Sequence, residues 1–535
     1  MLKIFTTVFL LSASFLSAQE LVFVEFKDKE NVSQYLNNPL TMLSQAALDR
    51  RQKRNVVLDE RDVPITQSYI DQVKTNYPIL GTSKWLNGVV VNANSTSDLE
   101  QLASLGFVKE VRSFVRNPIG GKRSEPIKKF KENPFDVASK AQYSDVFIQQ
   151  LNLQVLHNLG LTGKNVKLAI FDTGFPYVDQ MQAFEYLRSN NRIKYTYDFV
   201  DHQTDVYDEN LHNHGTMVLS NIAAKTNDYT GTGFDADIYL FRTEDNNEES
   251  PIEMVNWVSA AERADSLGVE IINSSLGYTT FDDSRYDYTH EDLDGKTAYI
   301  TIGADIAAEK GIIVVTSAGN ERDDFWGKIS PPADGFKVLT IGAVTENGNY
   351  TSFSSYGPTA DNRIKPDIMA MGQDVPLYYT SSWWGESLTY ANGTSFSSPI
   401  TAGAIASLIQ DKSDFTIDEL IKIMHESANK FQNPDNDYGY GIPNFANAND
   451  AFNDLSIDVP FAQKNQIYPN PTKGEVFIKN NSKIVSIEVY DQSGKLVKKN
   501  YDRSSIDLQT LPNGVYLLKI KDSKGKVVTQ KLLKN

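Results

Sequence analysis

Four short runs of apolar and β-branched residues stand out in the middle of the chain, and segments with helical spacing separate them. The runs cover residues 166–171, 269–272, 311–315 and 338–342. Continuous apolar runs of this length are typical of strands that are buried on both faces, as they are in parallel sheets covered by helices. The pattern therefore predicts an α/β domain over residues 140–453, with a parallel sheet flanked by helices.

Before residue 136 the pattern is different. Short alternating strands at 20–26 and 87–92 mix with a helical repeat through Leu99, Leu102 and Leu105, which predicts a small α+β domain. This region ends in a stretch that is rich in basic residues, glycine and proline, and such a stretch indicates an exposed linker. An exposed linker suits removal of a pro-region, here residues 19–135; an ordinary linker that is never cut is the alternative.

The end of the chain has the alternating apolar and polar pattern of an all-β segment. Apolar alternation at 475–478, 484–490 and 514–520 predicts strands, and Gly494 and Gly525 mark hairpin turns. The preceding helical pattern stops near Pro460, which discourages its continuation. We therefore expect a linker over residues 454–464 and a small all-β sandwich over residues 465–535.

Residues 1–18 have the pattern of a secretory signal peptide. Lys3 precedes a short apolar run, and Ser17 and Ala18 provide small residues at the expected cleavage point. No other apolar run reaches the roughly 20 residues that a membrane-spanning helix needs. We therefore expect a protein that leaves the cytoplasm and has no transmembrane anchor.

Composition narrows the classes of function. A formal net charge of −16 over 535 residues argues against nucleic acid and anionic membrane surfaces as partners. The chain has no cysteine, so disulfide bonds cannot stabilise it outside the cell. Acidic clusters at 244–249 and 435–437 leave structural calcium open as an alternative to solvated loops.

Polar segments follow three of the four predicted strands. They are Asp172-Thr173-Gly174, Asn273-Ser274-Ser275-Leu276-Gly277 and Ser317-Ala318-Gly319-Asn320. In parallel sheets, ligands bind beyond the carboxyl ends of the strands. We therefore expect these segments to face one crevice.

Two predicted helices begin at chemically reactive side chains. His214 opens one helical pattern, and Ser395 opens another, in which Pro399 is tolerated in the first turn. Together with Asp172 at a strand end, these residues supply a nucleophile, a general base and an orienting carboxylate. An N-capping serine before a buried helix is the alternative interpretation of Ser395.

The motifs and their order resemble those of the subtilisin-like serine peptidases. The matching segments are Asp172-Thr173-Gly174, His214-Gly215-Thr216, Ser317-Ala318-Gly319-Asn320 and Gly393-Thr394-Ser395 with Pro399. The chain order Asp, His, Ser is that of subtilisin. The resemblance implies a secreted serine endopeptidase that acts on protein or peptide substrates and needs no cofactor for its chemistry.

The resemblance also implies roles for individual residues. The orienting carboxylate, general base, nucleophile and oxyanion donor would be Asp172, His214, Ser395 and Asn320. Ser275-Leu276-Gly277 resembles the strand that pairs with the substrate backbone. The chain departs from the family pattern at Met217 and Leu219-Ser220, which affects helix packing more than chemistry. Residues 278–305 form an insertion to which the resemblance gives no role.

Both flanking regions carry resemblances of their own. Tyr468-Pro469-Asn470-Pro471-Thr472 and Gly514-Val515-Tyr516 are similar to the C-terminal sorting domain read by the type IX secretion system of some outer-membrane bacteria. The region around Trp85 looks like the pro-regions of such exported peptidases. This implies the type IX secretion machinery as a partner, with export through the periplasm to the cell surface or medium. A carbohydrate- or protein-binding sandwich is the alternative at the C-terminus.

Other interpretations of the same motifs fit less well. An aspartic peptidase needs two facing carboxylates that share a proton, and the Asp172 motif has no second copy. His212 and His214 lie two residues apart, so they do not share a helix face as metal ligands would. The main rival function is a catalytically silent surface-binding protein on the same scaffold; the complete set of Asp, His, Asn and Ser favours the enzyme.

Overall fold

The computed structural model describes residues 19–125, 127, 145–381, 385–412, 414–458, 466–479, 484–491, 495–501, 504–522 and 527–535. The predicted signal peptide and the predicted turn glycines Gly494 and Gly525 lie outside these residues. The chain divides into two compact units, with the division between Asn449 and Asp450.

The N-terminal part of the first unit is a four-stranded antiparallel sheet with helices, as the alternation predicted. Its strands, in the spatial order β2-β3-β1-β4, are β1 (Glu20–Phe26), β2 (Gly81–Ser83), β3 (Gly88–Ala93) and β4 (Val108–Ser113). Its helices are α1 (Val32–Asn37), α2 (Gln45–Lys53), α3 (Gln67–Lys74) and α4 (Thr96–Ser104).

Both faces of this small sheet are covered, and the alternation along β1 decides which side chain packs where. Val22 and Val24 point into a core shared with α3 and α4. Leu21 and Phe23 point the other way and share a core with the larger domain that follows. The N-terminal domain is therefore attached to that domain by apolar packing on the second face of its sheet.

The following domain is built on a seven-stranded parallel sheet in the order β11-β10-β9-β8-β5-β7-β6. The strands are β5 (Lys167–Asp172), β6 (Ile193–Asp198), β7 (Asp237–Arg242), β8 (Ile271–Ser274), β9 (Ile313–Ser317), β10 (Leu339–Val344) and β11 (Ile368–Met371). In the centre of the sheet, Leu168 lies opposite Ile238 on one side and Ile271 on the other. The predicted parallel α/β fold is confirmed.

Helices surround the sheet, and a hairpin of strands β12 (Val375–Ser381) and β13 (Gly385–Ala391) lies outside it. The helices are α5 (Asp145–Gln150), α6 (Gln154–Asn158), α7 (Glu185–Ser189), α8 (His214–Ala223), α9 (Ile252–Leu267), α10 (Tyr299–Glu309), α11 (Thr394–Ile409), α12 (Ile417–Ser427) and α13 (Phe445–Asp458). Short 3₁₀ helices cover Pro39–Thr41, Glu60–Asp62, Gln182–Phe184 and His290–Asp292. Every residue of α11 is buried, because its small side chains allow close packing on all sides.

The second unit contains two antiparallel sheets, as predicted for a small sandwich. One has the order β14-β15-β18 and the other β17-β16-β19-β20. The strands are β14 (Gln466–Tyr468), β15 (Glu475–Lys479), β16 (Ile484–Tyr490), β17 (Leu496–Tyr501), β18 (Ser505–Asp507), β19 (Gly514–Asp522) and β20 (Val527–Lys534). Alternate residues of both sheets, including Val476, Ile487 and Leu518, share one apolar core.

Candidate active site

A cavity of roughly 700 Å³ lies beyond the carboxyl ends of the central parallel strands. Its lining includes His214, the segment Ser275-Leu276-Gly277, Asn320 and Ser395. The fold therefore brings together residues that are up to 273 positions apart in the sequence, since the lining runs from Arg123 to Phe396. The expectation of one crevice is confirmed for these residues.

Asp172 and His214 form a buried hydrogen-bonded pair at one side of the cavity. Asp172 is the last residue of β5 and has no exposed surface, and His214 is the first residue of α8. Nδ1 of His214 lies 2.8 Å from Oδ1 and 3.0 Å from Oδ2 of Asp172. A carboxylate can only accept, so Nδ1 carries the hydrogen and Nε2 is the basic nitrogen of the neutral ring.

Glycine is required where α8 approaches the end of β5. A Cβ at Gly215 would collide with the carbonyl oxygen of Gly174 and would lie 3.0 Å from Cβ of Asp172. The Asp172 carboxylate is fixed from another direction by the backbone N–H of Thr173, which donates to Oδ1 over 2.8 Å. The carboxylate and the imidazole are therefore both held in place before any substrate binds.

Ser395 is the second residue of α11, so its backbone lies at a helix N-terminus as the sequence predicted. The position of Pro399 was predicted wrongly: it is the sixth residue of α11 and lies in the second turn. A proline there leaves the carbonyl of Ser395 without its helical donor. The hydroxyl of Ser275 replaces that donor and bonds the carbonyl over 2.8 Å.

The end of β8 and the start of α11 are also linked through side chains. The amide of Asn273 donates to Oγ of Ser275 over 3.2 Å and accepts from Oγ of Ser398 over 2.9 Å. Oγ of Ser395 lies 3.4 Å from the carbonyl oxygen of Ser275. Sequence reasoning assigned Ser275 to substrate contact alone and missed its hydroxyl as a support for the Ser395 turn.

Asn320 follows β9 and lines the cavity with its amide held in one orientation. Its Oδ1 accepts from the backbone N–H of Thr394 over 2.8 Å and from the Thr394 hydroxyl over 3.0 Å. Gly319 N–H in turn donates to that hydroxyl oxygen over 3.2 Å. Because the amide oxygen is engaged, Nδ2 is left to donate. Sequence reasoning missed Thr394, whose only signal was its place between Gly393 and Ser395.

Carboxylates dominate the charge of the cavity wall. The acidic residues in the lining are Glu244, Glu249, Glu321, Asp323 and Asp324, and the lining also includes Arg123 from the N-terminal domain. Burial raises the pKa of Glu321, whose carboxylate accepts from the hydroxyls of Ser330 and Ser355. The site as a whole is therefore suited to cationic or neutral ligands.

Three of the other histidines lie in ordinary structural contacts. His157 and His290 bond to backbone carbonyls, and His425 lies 3.2 Å from Asp367. In the cluster at 435–437, the Asp435 carboxylate accepts from Lys430 and from backbone N–H groups of its own turn. Among the described residues, no group of three or more His, Cys, Asp or Glu side chains is arranged to hold a metal ion.

Models of known families match three parts of the chain. Residues 163–441 match the model of the subtilase family, and the chain belongs to that family. Residues 21–131 match the peptidase S8 propeptide domain of Bacteroidota, and residues 466–535 match a secretion system C-terminal sorting domain. The chain is thus a subtilisin-like serine endopeptidase with a propeptide, and it is a secreted or cell-surface protein.

Similar proteins include several bacterial proteases. The serine protease AprX of Bacillus subtilis is 31% identical over 316 residues, which cover 54% of this chain and 67% of that protein. Subtilisin E of the same organism is 28% identical over 325 residues, covering 60% and 75%. An alkaline protease of Alkalihalobacillus alcalophilus is 24% identical over 408 residues, covering 75% and 92%. Within the described parts of the chain, none of the helices combines the length and apolar character that a membrane crossing needs.

Proposed function

We propose that this enzyme hydrolyses peptide bonds through Asp172, His214 and Ser395, with Asn320 as a donor to the oxyanion. The observation that carries the proposal is the bond from His214 Nδ1 to the buried Asp172 carboxylate, with both His214 and Ser395 lining one cavity. That bond fixes the tautomer in which Nε2 accepts a proton. A serine hydroxyl needs such a base, because it is a weak nucleophile while it keeps its proton.

The proposed reaction has two halves. In the first, Oγ of Ser395 attacks the substrate carbonyl while its proton passes to Nε2 of His214, and Asp172 stabilises the imidazolium. The C–N bond then breaks as His214 gives that proton to the leaving amine. In the second half, water attacks the acyl-enzyme with His214 again as base, which releases the acid and restores Ser395.

Negative charge develops on the carbonyl oxygen during both halves. We assign its stabilisation to Nδ2 of Asn320 and to the backbone N–H of Ser395, which lies at the positive end of the α11 dipole. The contacts of Thr394 support this role, since they turn the oxygen of the Asn320 amide away from the anion. All reacting groups belong to the chain, so the chemistry uses no cofactor.

The substrate backbone is proposed to lie along Ser275-Leu276-Gly277. This segment continues β8 beyond the end of the sheet and lines the cavity next to Ser395. An extended peptide can pair with such an edge by main-chain hydrogen bonds. The substrate class is therefore protein or peptide, read in an extended conformation.

For the whole chain we propose a signal peptide over 1–18, a pro-region over 19–135, a peptidase domain over 140–453, a linker over 454–464 and a sorting domain over 465–535. The propeptide and sorting-domain matches support the two flanking assignments. The type IX secretion machinery is the proposed partner of the last domain.

This export role is tested by truncating the chain after Pro460. The truncated enzyme should accumulate in the periplasm as an active peptidase, because, among the described residues, the apolar core of the C-terminal sheets is formed by those sheets and their turns. Export is measured by comparing activity in the periplasm and in the medium. Normal amounts of truncated enzyme in the medium would show that the sorting assignment is wrong.

The catalytic proposal is tested by reaction with a fluorophosphonate, which labels serines that a base has activated. The intact enzyme should carry one adduct, and peptide mapping should place it on Ser395. A catalytically silent binding protein on the same scaffold would remain unlabelled. Labelling on another serine would reject Ser395 as the nucleophile.

A further inference from the structure

The insertion after Gly277 contacts residues near the end of the propeptide. We call residues 279–288 the acceptor loop and residues 116–125 the strap. The backbone N–H groups of Arg116 and Asn117 both donate to the carbonyl of Arg285, over 2.7 and 2.9 Å. Lys122 forms an antiparallel bridge with Asp283. The strap therefore lies along the acceptor loop through main-chain contacts, in the way that a bound peptide adds to a strand edge.

The two segments approach so closely that one position of the strap must be glycine. A Cβ at Gly120 would lie 2.7 Å from the backbone nitrogen of Arg285 and 2.8 Å from the carbonyl of Ser284. Ser284 N–H also donates to the carbonyl of Gly121 over 3.0 Å. This close fit indicates a specific docking site for the strap.

The centre of the docking site holds a guanidinium group. Nε of Arg123 donates to the carbonyl oxygen of Phe281 over 2.9 Å, and Nη2 pairs with the carboxylate of Asp287. Asp287 is itself held by the backbone N–H of Phe281, which donates to Oδ1 over 2.8 Å. A carbonyl and a fixed carboxylate thus bind two different N–H groups of one rigid side chain.

The Arg123 side chain also connects this site to the catalytic cavity. Arg123 lines the same cavity as His214 and Ser395. Among the described residues that line the cavity, Arg123 is the only lysine or arginine, and five are Asp or Glu. When the propeptide leaves, the acidic wall therefore loses its one permanently charged cation.

Removal of the strap also takes the cation away from Asp287. With the strap bound, the Asp287 side chain is 22% exposed, and burial raises its pKa in spite of the nearby Arg123. Without the strap, the carboxylate keeps the backbone N–H of Phe281 but loses its ion pair with Arg123. The empty loop therefore favours binding of another cation with the same geometry.

We propose that the acceptor loop is an arginine-binding subsite: it holds Arg123 in the zymogen and takes an arginine of the protein substrate in the mature enzyme. The strap forms the first part of the predicted linker, and the proposed pro-region ends after it, at residue 135. The substrate arginine therefore lies on the N-terminal side of the cleaved bond. This inference rests on the proposed function of Ser395 and names a substrate feature for it. Lysine fits less well, because its ammonium cannot donate in the two fixed directions that Arg123 uses.

The test uses the mature enzyme as it is secreted, with peptides that share one cleavable sequence. A single arginine is moved stepwise through the residues N-terminal to the cut, and matched peptides carry glutamine or lysine at the same place. At the best position we expect kcat/KM for the arginine peptide to exceed that for the glutamine peptide about tenfold, mostly through KM. The lysine peptide should fall between them.

Two variants of the acceptor loop sharpen the test. Asp287→Asn should bring the ratio of the arginine to the glutamine peptide close to one. Asp283→Asn removes the same charge from the same loop, but the Asp283 carboxylate binds Arg285 of the loop itself, so the ratio should be kept. Equal loss in both variants, or no arginine preference at any position in the unaltered enzyme, would overturn the subsite. Fluorophosphonate labelling separates the two proposals: failure to label Ser395 counts against the catalytic assignment, and labelling without arginine preference counts against the subsite alone.

Discussion

Two regions of this molecule bury charged or titratable groups, and they do so in opposite ways. In the active site, Asp172 is paired with His214, which is 3% exposed. At the junction of the propeptide and the subtilase domain, a larger network pairs arginine and lysine side chains with aspartates. In the proposed mechanism the first arrangement gains and loses a proton; the second is stable only while all of its members remain together.

The junction network is built from both sides of the interface. Arg50 and Arg51 of α2 reach Asp265 of α9, and Arg51 also pairs with Asp62 over 2.8 Å. Lys310 completes the network by donating to Asp62 over 3.1 Å. The side chains of all five residues are at most 2% exposed.

The two sets of buried charged groups have different roles. Imidazole ionises near neutral pH, so the active-site pair can serve as a proton store that the Asp172 carboxylate stabilises. Guanidinium groups do not deprotonate in proteins. The buried arginines of the junction therefore stay charged and need their carboxylate partners. We infer that the junction fixes the propeptide on the enzyme, whereas the active-site pair performs chemistry.

Among the variants that keep Ser395, the largest expected effect comes from changing the acid of the active-site pair. Asp172→Asn keeps the shape but offers an amide N–H to His214, which favours the tautomer with the hydrogen on Nε2. The base is then blocked, and an analogous change in another serine protease lowers kcat about 10⁴-fold. We expect a loss of that order, measured as kcat on a peptide substrate. A loss below about tenfold would mean that Asp172 does not hold the tautomer.

The second expected effect is on stability at the junction. Asp265→Asn leaves Arg50 and Arg51 buried with too few anions, so the free energy of unfolding of the zymogen should fall by about 3–5 kcal/mol. Denaturant unfolding in a Ser395→Ala background measures this without self-digestion. Glu309→Gln is the matched control, because it breaks the partly exposed pair with Arg61 across the same junction and should cost at most about 1 kcal/mol. Equal effects would contradict the distinction between the two kinds of contact.

Acid gives the same junction a characteristic pH dependence. Burial alone would raise the pKa of Asp265, but Arg50 and Arg51 overcome this and lower it. A carboxyl with a lowered pKa stabilises the folded state fully above its ordinary pKa of about 3.9, and that stabilisation is lost as the pH falls through the folded value. The stability difference between the parent and Asp265→Asn should therefore shrink below about pH 4. A difference that grows on acidification would contradict this sign.

A smaller effect on activity is expected at the oxyanion side of the cavity. Asn320→Ala removes the proposed oxyanion donor, which would act in the transition state, so kcat should fall and KM should change little. Deleting one such donor in subtilisin, a member of the same family, costs about 10²–10³ in kcat. We expect a comparable factor here, from initial rates over a range of substrate concentrations. An effect confined to KM would make Asn320 a substrate contact instead.

Local sequence patterns predicted the parts of the site whose signals are contiguous. Asp172 follows an apolar run, and His214 and Ser395 open helices, so their positions at strand and helix ends could be read directly. Contacts between distant segments could not be read in this way. The Ser275 hydroxyl lies 120 residues before Ser395 and bonds its carbonyl, which Pro399 in the second turn leaves without a helical donor.

The junction and the acceptor loop were unpredictable for the same reason. Arg50 and Asp265 are 215 residues apart, and their charges give no sign in the sequence that they will be buried together. The sequence also assigned no role to the insertion after Gly277, whose contacts with the strap come from a segment more than 150 residues earlier in the chain. Pairing of this kind depends on how domains pack, whereas periodicity reports only on each element by itself.

The most direct test of the catalytic account is the hydrolytic rate of Ser395→Ala. The change deletes one oxygen and leaves the helix N-terminus, the Asp172–His214 pair and the Asn320 amide in place. We predict that peptide hydrolysis falls by about 10⁶-fold, the loss seen when subtilisin loses its serine, while the thermal unfolding midpoint stays close to that of the parent. A stable, folded variant that still cleaves peptides at a rate near the parent's would contradict the account.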